Sequence, residues 1–210
     1  FIGTLLDITE QKTMEKQKDD FLAISSHELK TPVTSIKGYV QMLIEEFEEK
    51  KETDAVSQLN IVNRQVNKLV LLINDLLDTS KLETGQMQFN MELFEFDELV
   101  TEVVNSMQHV SPNHKLNLNG STGKNVFGDR NRIEQVLANL ISNAVKFSPG
   151  VATVDISLYL EDDMIALTVE DFGVGMEAEV AQKIFERFYR SPSTSHWSTG
   201  LGLGLFISFE

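Results

Sequence analysis

His27 and Glu28 stand side by side in Ser25-Ser26-His27-Glu28-Leu29-Lys30-Thr31-Pro32. A neutral imidazole is a competent nucleophile near pH 7. An adjacent carboxylate can take or hold the other ring proton and raise the nucleophilicity of the attacking nitrogen. Thr31 falls one helical turn after His27, on the same face. Pro32 has no N–H, so the carbonyl of Glu28 loses its helical partner and a bend is expected there. Taken alone, these residues fit an ordinary surface histidine with an acidic neighbour better than a catalytic one.

Three further groups lie downstream. Gln135, Asn139 and Asn143 recur every four residues beside an apolar helix face, and Lys146 follows them. Asparagine is a poor helix former, so two on one stripe ask for a reason. An amide oxygen suits magnesium and a lysine supplies a point charge for phosphate, although a solvated polar face explains the stripe as well. Asp171-Phe172-Gly173-Val174-Gly175-Met176 directly follows an apolar run. Its glycines permit close backbone approach to a ligand, and an aspartate at a strand end can accept from an exocyclic amine such as adenine's; such turns are also common without function. Gly200-Leu201-Gly202-Leu203-Gly204-Leu205 opens a helix and can offer backbone N–H groups to an anion. A plain flexible loop explains its glycines but not the leucines between them. The run is neither a P-loop nor a dinucleotide fingerprint, since it lacks Gly-Lys-Ser/Thr and no strand directly precedes it.

The elements that must position these residues change character near residue 85. A first helix is expected from about Thr9 into the Glu45–Glu49 region. It carries two seven-residue apolar repeats: Leu22, Leu29, Ile36, Leu43 and Val33, Val40, Phe47. Ser26 falls on the extrapolated second repeat, which leaves His27 one step off the seam. Charged residues 50–54 make a short turn. A second helix is expected from Asp54 to Glu83, with Leu59, Val62, Val66, Leu69, Ile73 and Leu76 as its seam and Gly85 as its stop. One hairpin buries little apolar surface alone, so a homodimeric four-helix bundle is expected. Beyond it, strands are expected at 87–96, 115–118 and 125–127. Helices are expected at 97–110 and 132–147, a strand hairpin at 151–160 and 164–170, then a loop-rich stretch and a last helix from about Gly202. That is an α/β layer pattern.

The chain has 210 residues, 41% hydrophobic and 24% charged, no cysteine and a net charge of −14. Disulfides and thiolate zinc sites are excluded, and a reducing, cytoplasmic compartment is the expectation. So acidic a surface disfavours nucleic acid and anionic lipid. No apolar run approaches the roughly 20 residues that span a bilayer, though a full-length protein could still be membrane-anchored.

The order of the four groups is more specific than any one of them. His-Glu-Leu-Lys-Thr-Pro, then Asn-Leu-Ile-Ser-Asn-Ala-Val-Lys, Asp-x-Gly-x-Gly and Gly-Leu-Gly-Leu-Gly-Leu resemble a sensor histidine kinase of a two-component system. Ile184-Phe185-Glu186-Arg187-Phe188-Tyr189-Arg190 resembles that family's aromatic box. The resemblance implies an α+β organisation: an antiparallel helical hairpin, a four-helix bundle as a dimer, followed by an α/β-sandwich ATP-binding domain of the gyrase, MutL and histidine kinase type. It places the hairpin at 11–85 and the ATP-binding domain at 86–210. It implies ATP-dependent autophosphorylation on His27, assisted by Glu28, and transfer to an aspartate of a response-regulator receiver domain. Thr31 matches a position used to dephosphorylate that partner. Asn143 would bind Mg2+, supported by Asn139, with Lys146 near phosphate and Asp171 reading adenine. Gly173, Gly175, Arg187, Gly200, Leu201, Gly202, Leu203 and Gly204 would line the nucleotide loops, and residues 176–199 would form an ATP lid. Residues 1–10 resemble the end of a PAS sensor domain, an expected upstream partner. The family normally has about two strands after its last helix, whereas this sequence stops at Glu210, so either a tail is missing or the sheet is incomplete. Two other readings stay open: an ATPase or clamp using Glu134 as general base, and a non-catalytic dimerisation scaffold.

Overall fold

In the computed structural model, residues 9–191 and 201–210 are described, with side chains from Leu29 onward. Residues 1–8 of the PAS-like segment expected at 1–10 therefore lie outside the described residues. The chain divides into two compact units, Phe1–Met87 and Gln88–Glu210.

The first unit is built from two long helices, α1 (Thr9–Glu49) and α2 (Thr53–Glu83). Pro32 lies inside α1, and the helix runs unbroken through it. Thr34 Oγ1 donates to the Lys30 carbonyl at 2.8 Å and Ser35 Oγ to the Thr31 carbonyl at 3.2 Å just beyond. The two seven-residue repeats separate by burial. Val33 and Val40 are buried, and Val33 clusters with Val66, Val70, Ile73 and Leu77 of α2. Leu29, Ile36 and Leu43 stay exposed, as do Val62 and Leu69 on α2. The sequence shows two seams alike, and among the described residues only the Val33–Val40 seam is buried within the chain. The stop of α2 follows from backbone chemistry. Gly85 takes φ +64°, its N–H donates to the Leu82 carbonyl at 3.1 Å, and the Gln86 N–H donates to the Lys81 carbonyl at 2.9 Å. These two bonds are the paired closure of a glycine-terminated helix.

The second unit opens with β1 (Met91–Glu95), shorter than the 87–96 expected from alternation. Then come α3 (Phe96–Val110), β2 (Lys115–Gly120), β3 (Asn125–Asp129) and α4 (Arg130–Phe147). β4 (Thr153–Glu161) and β5 (Met164–Asp171) follow, then a short α5 (Ala178–Ala181) inside the stretch expected to be loop-rich. Last comes α6 (Gly204–Phe209). β1 pairs antiparallel with β3, while β2, β4 and β5 form a separate sheet in that order. β2 and β4 are parallel, and β4 and β5 form a hairpin. The hairpin turns on Asp162 and Asp163, both at positive φ, the mirror-image turn whose twist suits two antiparallel strands. Alternation on β4 sends Val154, Ile156 and Leu158 into the core, where they meet Leu99, Val100, Val103 and Val104 of α3 and Leu137, Ile141 and Ala144 of α4. Helices thus cover one face of the sheet, the α/β layering expected from the sequence.

Aspartates near the starts of α4 and α3 are held in different ways. Asp129 caps α4 by accepting from the Arg132 N–H at 3.1 Å. Asp97, in the first turn of α3, accepts from Ser121 Oγ, Thr122 N, Thr122 Oγ1 and Gly123 N at 2.7–3.1 Å. Desolvation alone would raise its pKa, but these donors outweigh it and hold the carboxyl at about 2. Its folded pKa therefore lies below the ordinary value, so its stabilisation is present above the ordinary carboxyl range and is lost as pH falls toward 2. Asp97→Asn should lower the melting temperature at pH 7, and its deficit against wild type should shrink between pH 5 and pH 3. Thermal melts followed by circular dichroism across that range check this.

Candidate functional site

The chemically interesting side chains fall on both units. In the first, His27 and Glu28 lie within α1, and their side chains are outside the described residues. Thr31 is exposed one turn further on.

In the second unit, three non-adjacent segments meet at α4. Burial of Leu137, Ile141 and Ala144 fixes the roll of the helix and leaves Asn139, Asn143 and Lys146 half-buried on another side. Asn143 Nδ2 donates to Asn139 Oδ1 at 3.3 Å, and Asn139 Nδ2 donates to Ser208 Oγ of α6 at 2.9 Å. Ser208 in turn donates to the Gly204 carbonyl at 3.0 Å. Each bond spends an amide nitrogen, so the oxygen of Asn143 is the group left as acceptor. A Cβ on Gly204 would sit 2.5 Å from Asn139 Oδ1, so a larger residue there would displace that amide.

The end of β5 comes to the C-terminal end of α4. Asp171 Oδ1 accepts from Ser148 Oγ at 3.2 Å and from the Gly173 N–H at 3.0 Å. The Val174 N–H donates to the Phe147 carbonyl at 3.1 Å. A Cβ on Gly173 would lie 2.0 Å from that carbonyl oxygen, so the close approach itself demands glycine. Gly175 has open space around it and is needed for a different reason, its φ of +63°.

The third segment brings positive charge. Lys146 lies over the Phe147 ring at 4.7 Å. Burial, and then the nearby charge of Arg190, hold its ammonium below the ordinary lysine value. The Arg187 guanidinium stacks on the Phe188 ring at 4.7 Å. Phe188 itself takes φ +61°, an uncommon conformation for a bulky residue, and its N–H donates to the Gly202 carbonyl at 3.0 Å. Gly202 at φ +74° allows this approach, since a Cβ would meet the Tyr189 carbonyl oxygen at 2.6 Å. Leu203 is 1% exposed, so it anchors the glycine run in the interior. Leu201 is half-buried, and Gly200 lies outside the described residues. A carboxylate, paired amides and converging cations suit a ligand with an amine at one end and phosphates at the other.

Residues 17–85 match the His Kinase A (phospho-acceptor) domain. Residues 128–210 match the family of histidine kinase-, DNA gyrase B- and HSP90-like ATPases. The chain belongs to the sensor histidine kinases. The sensor histidine kinase WalK of Bacillus subtilis (strain 168) is 32% identical over 214 residues, which take in 100% of this chain and 35% of the relative. WalK of Staphylococcus aureus is 32% identical over 215 residues, covering 100% of this chain and 51% of that protein. The chain thus spans about a third to a half of these curated relatives. The Acinetobacter baumannii histidine kinase AdeS superposes with a TM-score of 0.55 at 29% identity, over 87% of this chain and 86% of that one. Full-length ShkA in complex with AMPPNP shares the fold, with a TM-score of 0.67 at 24% identity over 90% of this chain and 39% of that one. No described helix of this histidine kinase is long and apolar enough to cross a membrane.

Three residues of this kinase escaped the sequence reading. Arg190 was part of a motif but not tied to Lys146, and Ser148 and Ser208 carried no pattern at all. Glu134, the candidate base of the ATPase reading, is exposed and lies 3.9 Å from Arg130, which also pairs with Glu102 of α3. It stands five residues before Asn139, about 140° round the helix from the amide stripe. The two glycines after Asp171 should separate by stability. Gly173→Ala should cost about 2 kcal/mol or more because backbone must move, and Gly175→Ala about 1 kcal/mol from left-handed strain alone. Urea denaturation of the two variants tests the order.

Proposed function

We propose that the chain is an autokinase core that uses ATP to phosphorylate His27 and then passes the phosphoryl group to a response-regulator aspartate. One observation carries this reading: a phospho-acceptor match and an ATPase-type match occur in one chain, the second with its amides, aspartate and cations gathered at α4. A ring nitrogen of His27 attacks the γ-phosphorus of ATP, the bond to the bridging oxygen breaks, and ADP leaves. Glu28 takes or holds the proton of the other ring nitrogen. Asp171 accepts from the adenine amine, and Lys146 and Arg190 draw in the phosphates.

Mg2+ fits the donor set, because the Asn143 nitrogen is engaged with Asn139 and a hard oxygen remains. Asn143 would hold the ion, and when bound it would neutralise charge on the phosphates. Thr31, one turn past His27, would orient water for hydrolysis of the receiver aspartyl phosphate. The receiver and an upstream sensor domain are the proposed partners.

A homodimer follows from the uncovered face of Leu29, Ile36, Leu43, Val62 and Leu69. A second copy presents the same apolar repeat and closes a four-helix bundle. Incubation with radiolabelled ATP and magnesium should label wild type with an acid-labile, alkali-stable phosphate and leave His27→Gln unlabelled. Full labelling of His27→Gln sinks the assignment. Ile36→Glu combined with Leu43→Glu should shift the light-scattering mass from dimer to monomer, and a dimer that persists removes this face as the interface.

A further inference from the structure

Ser148 sits directly after α4 and is 0% exposed, yet neither the fold nor the nucleotide loops account for a hydroxyl there. A hydroxyl buried so completely is retained with a partner. Its partner is Asp171 Oδ1, to which Ser148 Oγ donates at 3.2 Å. The Gly173 N–H donates to the same oxygen at 3.0 Å. Among the described residues no donor reaches the other oxygen, Oδ2, and Asp171 is solvent-exposed. One carboxylate oxygen is therefore fixed by the protein and the other is free to receive a ligand.

Ser148 is itself held on every side. Its N–H donates to the Val145 carbonyl at 3.4 Å, and its carbonyl accepts from the Val151 N–H at 3.2 Å. The same carbonyl accepts from His114 Nε2 at 3.2 Å, which assigns the hydrogen to that nitrogen. The His114 carbonyl accepts from Gln108 Nε2 at 2.7 Å, and Gln108 Oε1 accepts from the Leu116 N–H at 2.9 Å. This chain of bonds ties the serine to α3 and to the start of β2. A hydroxyl so fixed transmits the rigidity of the core to a carboxylate that would otherwise sample several rotamers.

We propose that Ser148 is a positioning residue for purine recognition: its buried hydroxyl holds one oxygen of Asp171 so that the other meets the exocyclic amine of adenine. This rests on the reading of Asp171 as the adenine acceptor. A carboxylate already in its bound rotamer loses less freedom when the base arrives. A site built around one hydrogen bond also rejects an analogue that lacks the donor. Ser148 thus acts on the preference for a 6-amino purine, not on phosphate affinity.

Calorimetric titration of the whole chain with ADP and with purine riboside diphosphate, which lacks the 6-amino group, tests this. Wild type should favour ADP. Ser148→Ala should weaken ADP by about 10-fold, the size of one lost charge-assisted bond, and leave the analogue within about 2-fold. Ser148→Cys, which fills the same space with a poor donor, should also lose the preference, and Ser148→Thr should keep it. The proposal is overturned if Ala and Cys weaken both nucleotides equally or retain the wild-type preference. Asp171→Ala separates the two readings. If wild type shows no preference and Asp171→Ala binds ADP as wild type does, the adenine reading of Asp171 fails. If Asp171→Ala loses the preference and Ser148→Cys does not, only the role of Ser148 fails.

Discussion

The roll of α4 about its own axis governs the second unit. Leu137, Ile141 and Ala144 are driven into the core by their apolar surface. Asn139, Asn143 and Lys146 each stand two positions after one of these, about 200° round the helix. The face that could meet a nucleotide is therefore set by hydrophobic packing on the other side. α6 then closes over part of that face through the Asn139–Ser208 bond, and β5 reaches its end through Phe147 and Ser148. A core substitution that turned α4 would misdirect all three polar side chains at once.

Charge is handled locally against the global sign. The chain carries −14, which repels phosphate at long range. Lys146 and Arg190 come together only through the fold, since 44 residues separate them. Burial first, and then the neighbouring charge of Arg190, hold the Lys146 ammonium below the ordinary lysine value.

Much of the fold was legible because burial is periodic. The amphipathic pattern at 132–147 located α4, the apolar runs at 151–160 and 164–170 located the β4–β5 hairpin, and Gly85 marked the end of α2. What was not legible is non-local. Both repeats on α1 look alike in the sequence, because a residue facing its own hairpin and one facing outward can share the same apolar character. The Ser148–Asp171 bond spans 23 residues and leaves no local pattern. Leu203 read as part of a ligand loop because alternation with glycine hides which side is inward. The asparagine stripe was visible, and the partner that orients it, Ser208, was not.

The parallel pairing of β2 with β4 has a consequence for the order of events during folding. Strand residues 115–120 cannot find 153–161 until the whole of α4 has been made, because that helix is the crossover between them. The α1–α2 hairpin is also closed by distant residues, since Val33 meets Val66 and Ile73. The Asn139–Ser208 bond must wait for residues near the end of the chain. The polar face of α4 thus takes its final geometry from contacts made across long stretches of sequence.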